Sequence, residues 1–353
     1  MNIEIMKTIA PKEKPAADRL GFGRYFTDHM LLTDYEAGRG WHDARIVPFG
    51  PLTLHPAATV FHYGAEIFEG LKAYRRPDGE VQLFRPWENV RRLNHSAERM
   101  TLPQLDAAFA LQAIKTLARV EKEWVPDLPG TSLYLRPFLL GNDETLGVHT
   151  VRRALFAIIA SPVGAYYAAG LSPVSIMIET RDVRAVRGGT GYAKCGGNYG
   201  ASMRAGESAA ERGYDQVLWL DGVERRYVEE VGSMNVMFLI GDTVVTPALT
   251  GSVLPGITRM SCIELLREKG YRVEERLLSA QELLSAAQSG ALREAWGCGT
   301  AAVVSPIGAL AMDGARYTVA DGGVGKLTRA LYDTLTDIQW GRTPDTHGWT
   351  CPV

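Results

Sequence analysis

Several features that would narrow the chain's work at once are scarce or missing. Only 4 cysteines stand among 353 residues, at positions 195, 262, 298 and 351, and none form a Cys-x-x-Cys. That excludes a disulfide-dense scaffold and a zinc ribbon, and it predicts reduced thiols in a cytoplasmic protein. The 7 histidines form no His-Glu-x-x-His, so no metal is expected. No apolar run approaches the roughly 18 residues of a spanning helix, so no membrane is expected. The stretch from Met1 to Pro15 lacks the apolar core of a signal peptide and is expected to fray. An excess of either charge is also missing. Lys and Arg total 38, Asp and Glu total 40, and the net charge is −2. Such a balance gives no general pull on nucleic acid. There is no fixed-period repeat and no low-complexity tract.

What is present is ordinary globular material, 46% apolar and 22% charged. At roughly 100–200 residues per domain, the length suggests two or three domains. Segments 31–35 and 44–49 read as strands. Segments 73–76 and 81–84 flank Pro77-Asp78-Gly79 as a hairpin. A helix is predicted over 86–100, with Val90, Leu93, Ala97 and Met100 on one face, and another over 106–124. Strands follow at 132–140 and 154–161. The small, aromatic, glycine-flanked stretch 162–170 reads as a linker. Beyond it come strands at 174–180 and 216–221, and a hairpin at 235–240 and 244–247. Helices are expected at 201–212, 258–269, 280–289 and 325–339. The mixture is α+β.

One stretch is unusual. Between Arg187 and Gly200, six glycines surround Lys194. Glycine costs backbone entropy, so the cluster is either a flexible surface loop or a backbone wrapped closely around a ligand. A phosphate-binding loop would need Gly before the lysine and Ser or Thr after it, but Ala193 and Cys195 stand there. No Gly-x-Gly-x-x-Gly opens a helix after a strand. A lysine in so apolar a setting, once buried, has a depressed pKa, and its neutral amine can attack a carbonyl carbon.

The segment Gly188 to Gly200 resembles the lysine segment of the branched-chain amino-acid aminotransferases, fold-type IV enzymes of the pyridoxal-phosphate group. The resemblance extends to Phe22-Gly23 with Phe26-Thr27-Asp28-His29-Met30, to the run from His62 to Tyr74, and to Leu83-Phe84-Arg85-Pro86-Trp87. It continues through Tyr134-Leu135-Arg136-Pro137, the run from Val228 to Asn235, Leu254 to Arg259, and Gly297-Cys298-Gly299-Thr300-Ala301. These segments follow in family order over roughly residues 22 to 349.

The resemblance implies a two-domain α+β architecture with pyridoxal 5'-phosphate at the domain interface. Residues 1–162 would form the smaller N-terminal domain, 163–174 an interdomain loop, and 175–353 the larger domain carrying the lysine. Lys194 is implied as the Schiff-base lysine and the carrier of the proton between Cα and the cofactor. Glu230 is implied as the partner of the ring nitrogen, with Glu229 pointing to solvent if the segment is extended. Arg85 is implied as a cation on the phosphate, with Arg184 near it. The amides of Ile257 and Thr258, at a helix start, and Thr300 would hold the same group. Tyr199 would approach the phenolic oxygen.

For substrates, the resemblance implies branched-chain L-amino acids paired with 2-oxoglutarate and L-glutamate. Phe22, Tyr63, Phe68 and Tyr134 would wall the pocket, and Arg136 would meet the γ-carboxylate. The amides of Thr300 and Ala301 would receive the α-carboxylate. Val148 would reach the pocket of a neighbouring subunit, which implies a homodimer. The stretch from Gly164 to Gly170 would cover the substrate. Some relatives carry a Cys-x-x-Cys switch where this chain has Ala302 and Ser305, so no such switch is expected. The same scaffold also hosts D-amino-acid transamination and aminodeoxychorismate lyase chemistry. The Tyr134/Arg136 pair favours the branched-chain L-enzyme.

Overall fold

A computed structural model of the chain describes residues 1–166 and 170–353. Residues 167–169, part of the expected cover, lie outside the described residues. The chain divides into two compact units. The first comprises Met1–Ala168, Ala193–Gly196 and Asp337–Val353, and the second Ala169–Tyr192 and Gly197–Thr336. This differs from the expected division in two respects. The first unit is the larger, and it holds Lys194. The physical reason is backbone pairing. Phe68 N–H donates to Lys194 O at 2.9 Å, and Thr350–Pro352 adds an edge strand beside Val81–Phe84.

The first unit is built on a mixed sheet. Its strands run in the order Glu4–Ile5, Gly40–Pro48, His29–Glu36, Arg153–Val163, Ser132–Gly141, Leu71–Arg75, Val81–Phe84 and Thr350–Pro352, and Glu66–Phe68 also pairs with Ser132–Gly141. Helices Pro86–Arg99 and Ala107–Val120 cover one face. Their apolar stripes, including Val90, Leu93, Ala97, Phe109, Ile114 and Leu117, join Ile67, Leu71, Ala73, Leu133, Leu135 and Leu139 in one core. The second helix starts on Asp106, whose carboxylate accepts from Phe109 N–H at 2.8 Å.

The arm expected to fray is tied down. Glu4 and Ile5 pair in parallel with Arg45 and Ile46, and Thr8 N–H donates to His29 Nε2 at 2.9 Å. His29 in turn contacts Glu121 through Nδ1.

The second unit carries another mixed sheet. The order is Val228–Val231, Gln216–Leu220, Val174–Glu179, Val303–Met312, Leu292–Gly299, Asn235–Ile240, Thr243–Pro247 and Arg272–Arg276, with Ala315–Thr318 beside Val303–Met312. Leu283, Leu284 and Ala286 of helix Ala280–Gln288 pack with Ile176, Leu218, Val236, Phe238 and Leu310. Met203–Glu211 places Ala205 and Ala209 against Trp219. No helix of the described residues is long and apolar enough to cross a membrane.

Candidate active site

In the first unit the strand register builds a chemically distinctive face. Lys72 stands opposite Tyr134, Phe68 opposite Phe138, and Glu66 opposite Leu140. Directly opposed residues share a face, and side chains alternate along a strand. Glu66, Phe68, Lys72, Tyr134 and Arg136 therefore face away from the helix-covered core. The Arg136 guanidinium lies 4.7 Å from the Phe68 ring centroid and 5.3 Å from that of Tyr134. Its Nη2 donates to Tyr134 Oη at 3.1 Å. Phe22 meets Tyr134 edge-on, with centroids 5.0 Å apart. Gly70 makes this possible, since a Cβ there would sit 2.0 Å from Tyr134 Oη.

Lys194 is held by its main chain. Its N–H donates to Ser96 Oγ at 2.9 Å, its carbonyl accepts from Phe68, and Gly196 N–H donates to Glu66. Its side chain is half-buried, with Nζ 4.7 Å from the Phe68 centroid. A buried carboxylate lies nearby. Glu69 accepts from Arg92 Nε at 2.7 Å and Nη2 at 2.9 Å, and from Asn89 at 2.8 Å. Burial alone would raise its carboxyl. The Arg92 charge, aided by Lys194 and Asn89, outweighs that and holds it below the usual range. Burial lowers Lys72 to about 8.

Arg85 precedes Pro86 in a left-handed conformation, φ 47°. Its N–H donates to Trp349 O at 2.6 Å, and its guanidinium lies 4.9 Å from the Trp349 ring centroid. Tyr63 ends the short helix Thr59–Tyr63 and is exposed. Leu146 and Val148 are 71% and 87% exposed, the outermost apolar side chains of their loop.

The second unit organises a carboxylate and a helix start. Glu230, 3% exposed on strand Val228–Val231, accepts from Leu254 N–H at 2.7 Å and Asn235 Nδ2 at 3.4 Å. Arg184 Nε lies 3.0 Å from its Oε2. Arg184 also donates to the carbonyls of Gly191 (3.2 Å) and Ser252. Arg184, expected near a phosphate, is thus engaged with Glu230. Gly191 fits because a Cβ there would fall 2.3 Å from Ser252 O. At this position the close neighbour is the Ser252 backbone rather than a ligand.

Glu229 corrects a second expectation. It is 4% exposed, not solvated, and accepts from Ser252 Oγ. The loop through Ser252 closes over it. Burial pushes its carboxyl up, against the lowering effects of Ser252 and Arg184.

Helix Ile257–Glu268 follows Gly256 with no side-chain cap on its first turn. Such a start presents backbone N–H groups and a positive dipole end. Thr300 and Ala301 form the turn between strands Leu292–Gly299 and Val303–Met312. Val303 closes it at φ 62°, a conformation a β-branched residue rarely adopts. Tyr199 lies on the short helix Gly196–Gly200. Sequence reasoning missed Glu66, Lys72, Glu69 with Arg92, and Ser96. The first three lie within a run already singled out, where alternation along 66–68 was the available signal.

The first unit thus presents a loop lysine and an aromatic-and-arginine face, and the second unit, by itself, a buried arginine-paired carboxylate and an uncapped helix start. The amino-transferase class IV family model matches residues 66–310, and the chain belongs to that family. It is 53% identical over 352 residues to branched-chain-amino-acid transaminase 1 of Bacillus subtilis (strain 168), covering 99% of each chain. Among solved structures, it is similar to the branched-chain amino acid aminotransferase of Escherichia coli at 28% identity and a TM-score of 0.76, covering 92% of this chain and 98% of that one. The branched-chain amino acid aminotransferase of Thermobaculum terrenum in its PLP-form is similar at 26% identity and a TM-score of 0.73, with 91% and 97% covered.

The donor set fits a phosphorylated pyridine. Glu230 is a buried carboxylate suited to a protonated ring nitrogen, and the uncapped start at Ile257 suits a phosphate.

Proposed function

We propose that this chain is a branched-chain L-amino-acid transaminase, exchanging an amino group between leucine, isoleucine or valine and 2-oxoglutarate. The observation that carries the reading is the Phe68/Tyr134/Arg136 face, an aromatic wall with a single arginine held across it. Such a surface accepts a branched aliphatic side chain by apolar contact. It accepts a γ-carboxylate by pairing with the guanidinium.

Class IV aminotransferases use pyridoxal 5'-phosphate, which when bound supplies an electron-withdrawing ring for the charge left as the substrate's Cα proton departs. The protein's residues take the remaining tasks. Lys194 is the residue that would hold the cofactor, and its Nζ, once free, would carry the proton taken from the substrate's Cα. Its tethering to Ser96, Phe68 and Glu66 limits where that amine can go. Glu230 would face the ring nitrogen and keep it protonated, and Arg184, 3.0 Å away, fixes the Glu230 carboxylate in place. The amides of Ile257 and Thr258, with Thr300, would hold the phosphate, and Arg85 is a further candidate cation for it. Tyr199 donates to the phenolic oxygen. Phe22, Tyr63, Phe68 and Tyr134 shape the apolar pocket, Arg136 meets the γ-carboxylate, and the turn at Thr300 and Ala301 receives the α-carboxylate.

The reading includes a homodimer. The exposed apolar pair Leu146 and Val148 supports it, because such a loop tip gains most by burial against a second copy. The two half-reactions alternate, so the test is spectroscopic. Adding L-leucine to the purified holoenzyme should move its near-visible absorbance to shorter wavelength, and 2-oxoglutarate should restore it. A band that responds to D-alanine and not to L-leucine would overturn the substrate assignment.

A further inference from the structure

Arg136 poses an electrostatic problem. Its charge is permanent, yet in the proposed function it must lie beside a leucine side chain in one half-reaction and a carboxylate in the other. A guanidinium against an apolar ligand needs a counter-charge from the protein. The Phe68 and Tyr134 rings and the Tyr134 hydroxyl supply only partial charges. Arg136 Nε is buried with no hydrogen-bond partner among the described residues.

One anion shares this face. Glu66 lies on strand Glu66–Phe68, two residues from the ring that Arg136 covers, and Ile67 between them points into the core. Its carboxylate interacts electrostatically with Arg136. Oε1 accepts from Gly196 N–H, and Oε2 has no hydrogen-bond partner among the described residues. The nearest other carboxylate along the chain, Glu69, is engaged by Arg92 and Asn89. Lys72, on the same face, is a second cation. Burial raises the Glu66 carboxyl, and the Gly196 bond and the Arg136 charge work against that.

We propose that Glu66 is a specificity-determining residue whose carboxylate balances Arg136 while an apolar side chain occupies the pocket and competes with the γ-carboxylate of a dicarboxylate substrate. This rests on the transaminase reading above. A substrate carboxylate arriving at Arg136 must lie near a like charge, that of Glu66. An aliphatic side chain brings no such charge. Glu66 therefore weakens dicarboxylate binding and supports branched-chain binding. A group that must be released in every cycle gains from that tilt, because overly tight dicarboxylate binding would hold the enzyme in one half-reaction.

The same carboxylate tethers Gly196, two residues beyond Lys194, so its charge and its hydrogen bond must be separated experimentally. Glu66→Gln keeps an acceptor for Gly196 and removes only the charge. In the holoenzyme it should lower KM for 2-oxoglutarate about 3- to 10-fold and raise KM for L-leucine, with kcat little changed. Glu66→Ala should in addition lower kcat for both substrates, through loss of the Gly196 tether. In an Arg136→Met background, Glu66→Gln should lose its opposite effects on the two KM values. Parallel changes in both KM values, or an undiminished effect without Arg136, would overturn the proposal. Wild-type enzyme that turns over neither substrate would instead overturn the transaminase reading.

Discussion

The two units treat a functional charge in opposite ways. Around Glu230 the compensation is complete and internal, with an arginine at 3.0 Å, a backbone N–H at 2.7 Å and an asparagine amide. Around Arg136 it is partial, with two ring faces, one tyrosine hydroxyl and an anion at longer range. In the proposed function, the contrast matches what each charge would serve. A group that faces the same partner throughout the cycle can be neutralised once and fixed. A group that faces alternating ligands must be left with unused capacity.

That comparison can be broken at several points. The largest effect is expected at the residue on which both half-reactions depend. Lys194→Ala should reduce steady-state turnover by ~10⁴-fold or more with the fold retained, as circular dichroism would check. Glu230→Gln should lower kcat by about 10²- to 10³-fold, equally for L-leucine and L-glutamate, because its partner does not change between half-reactions. A substrate-dependent loss would contradict the fixed-partner view. Arg136→Ala should be selective. It removes a charge-assisted contact worth about 1.5–3 kcal/mol, so KM for 2-oxoglutarate should rise ~10- to 100-fold while that for leucine changes little. Equal losses would erase the distinction.

The smallest effect on chemistry, and a substantial one on stability, belongs to Glu69. Its folded carboxyl lies below the usual range, so the unfolded chain binds the proton more readily. The stabilisation is then fully present above the ordinary carboxylate range and is lost as pH falls through the lower folded value. Glu69→Gln should cost about 3–5 kcal/mol in chemical unfolding at neutral pH, since Arg92 is left buried, and should flatten the acid limb of the stability curve. An unchanged acid limb would show that Glu69 is not the group responsible.

Much of this was legible in residues that sit next to their own causes. The helix over 86–100 announces itself by Val90, Leu93 and Ala97, and the hairpin by Pro77-Asp78-Gly79. Both depend on local spacing and turn chemistry. The family was legible through resemblance, because the order of its segments survives along the chain. What escaped depends on distant partners. Glu229 is buried because a loop more than twenty residues later closes on it through Ser252. The N-terminal arm is ordered by Arg45, Ile46 and His29, which nothing within the arm indicates. Arg184 could not be assigned between phosphate and carboxylate without the Glu230 geometry. Strands Leu292–Gly299 and Val303–Met312 are largely buried, so they show little of the alternation by which strands are read.

The discontinuous make-up of the first unit also bears on how the protein is made. Its edge strand Val81–Phe84 receives its outer neighbour only from Thr350–Pro352, and Gln82 Nε2 donates to the carbonyls of Ile338 and Gln339. Synthesis begins at the N-terminus, so that edge emerges from the ribosome long before its partner exists. The nascent first unit therefore waits, with one strand edge unprotected, until Thr350–Pro352 has been made. Removing Thr350–Pro352 should cause misassembly during translation more than loss of stability in protein already folded.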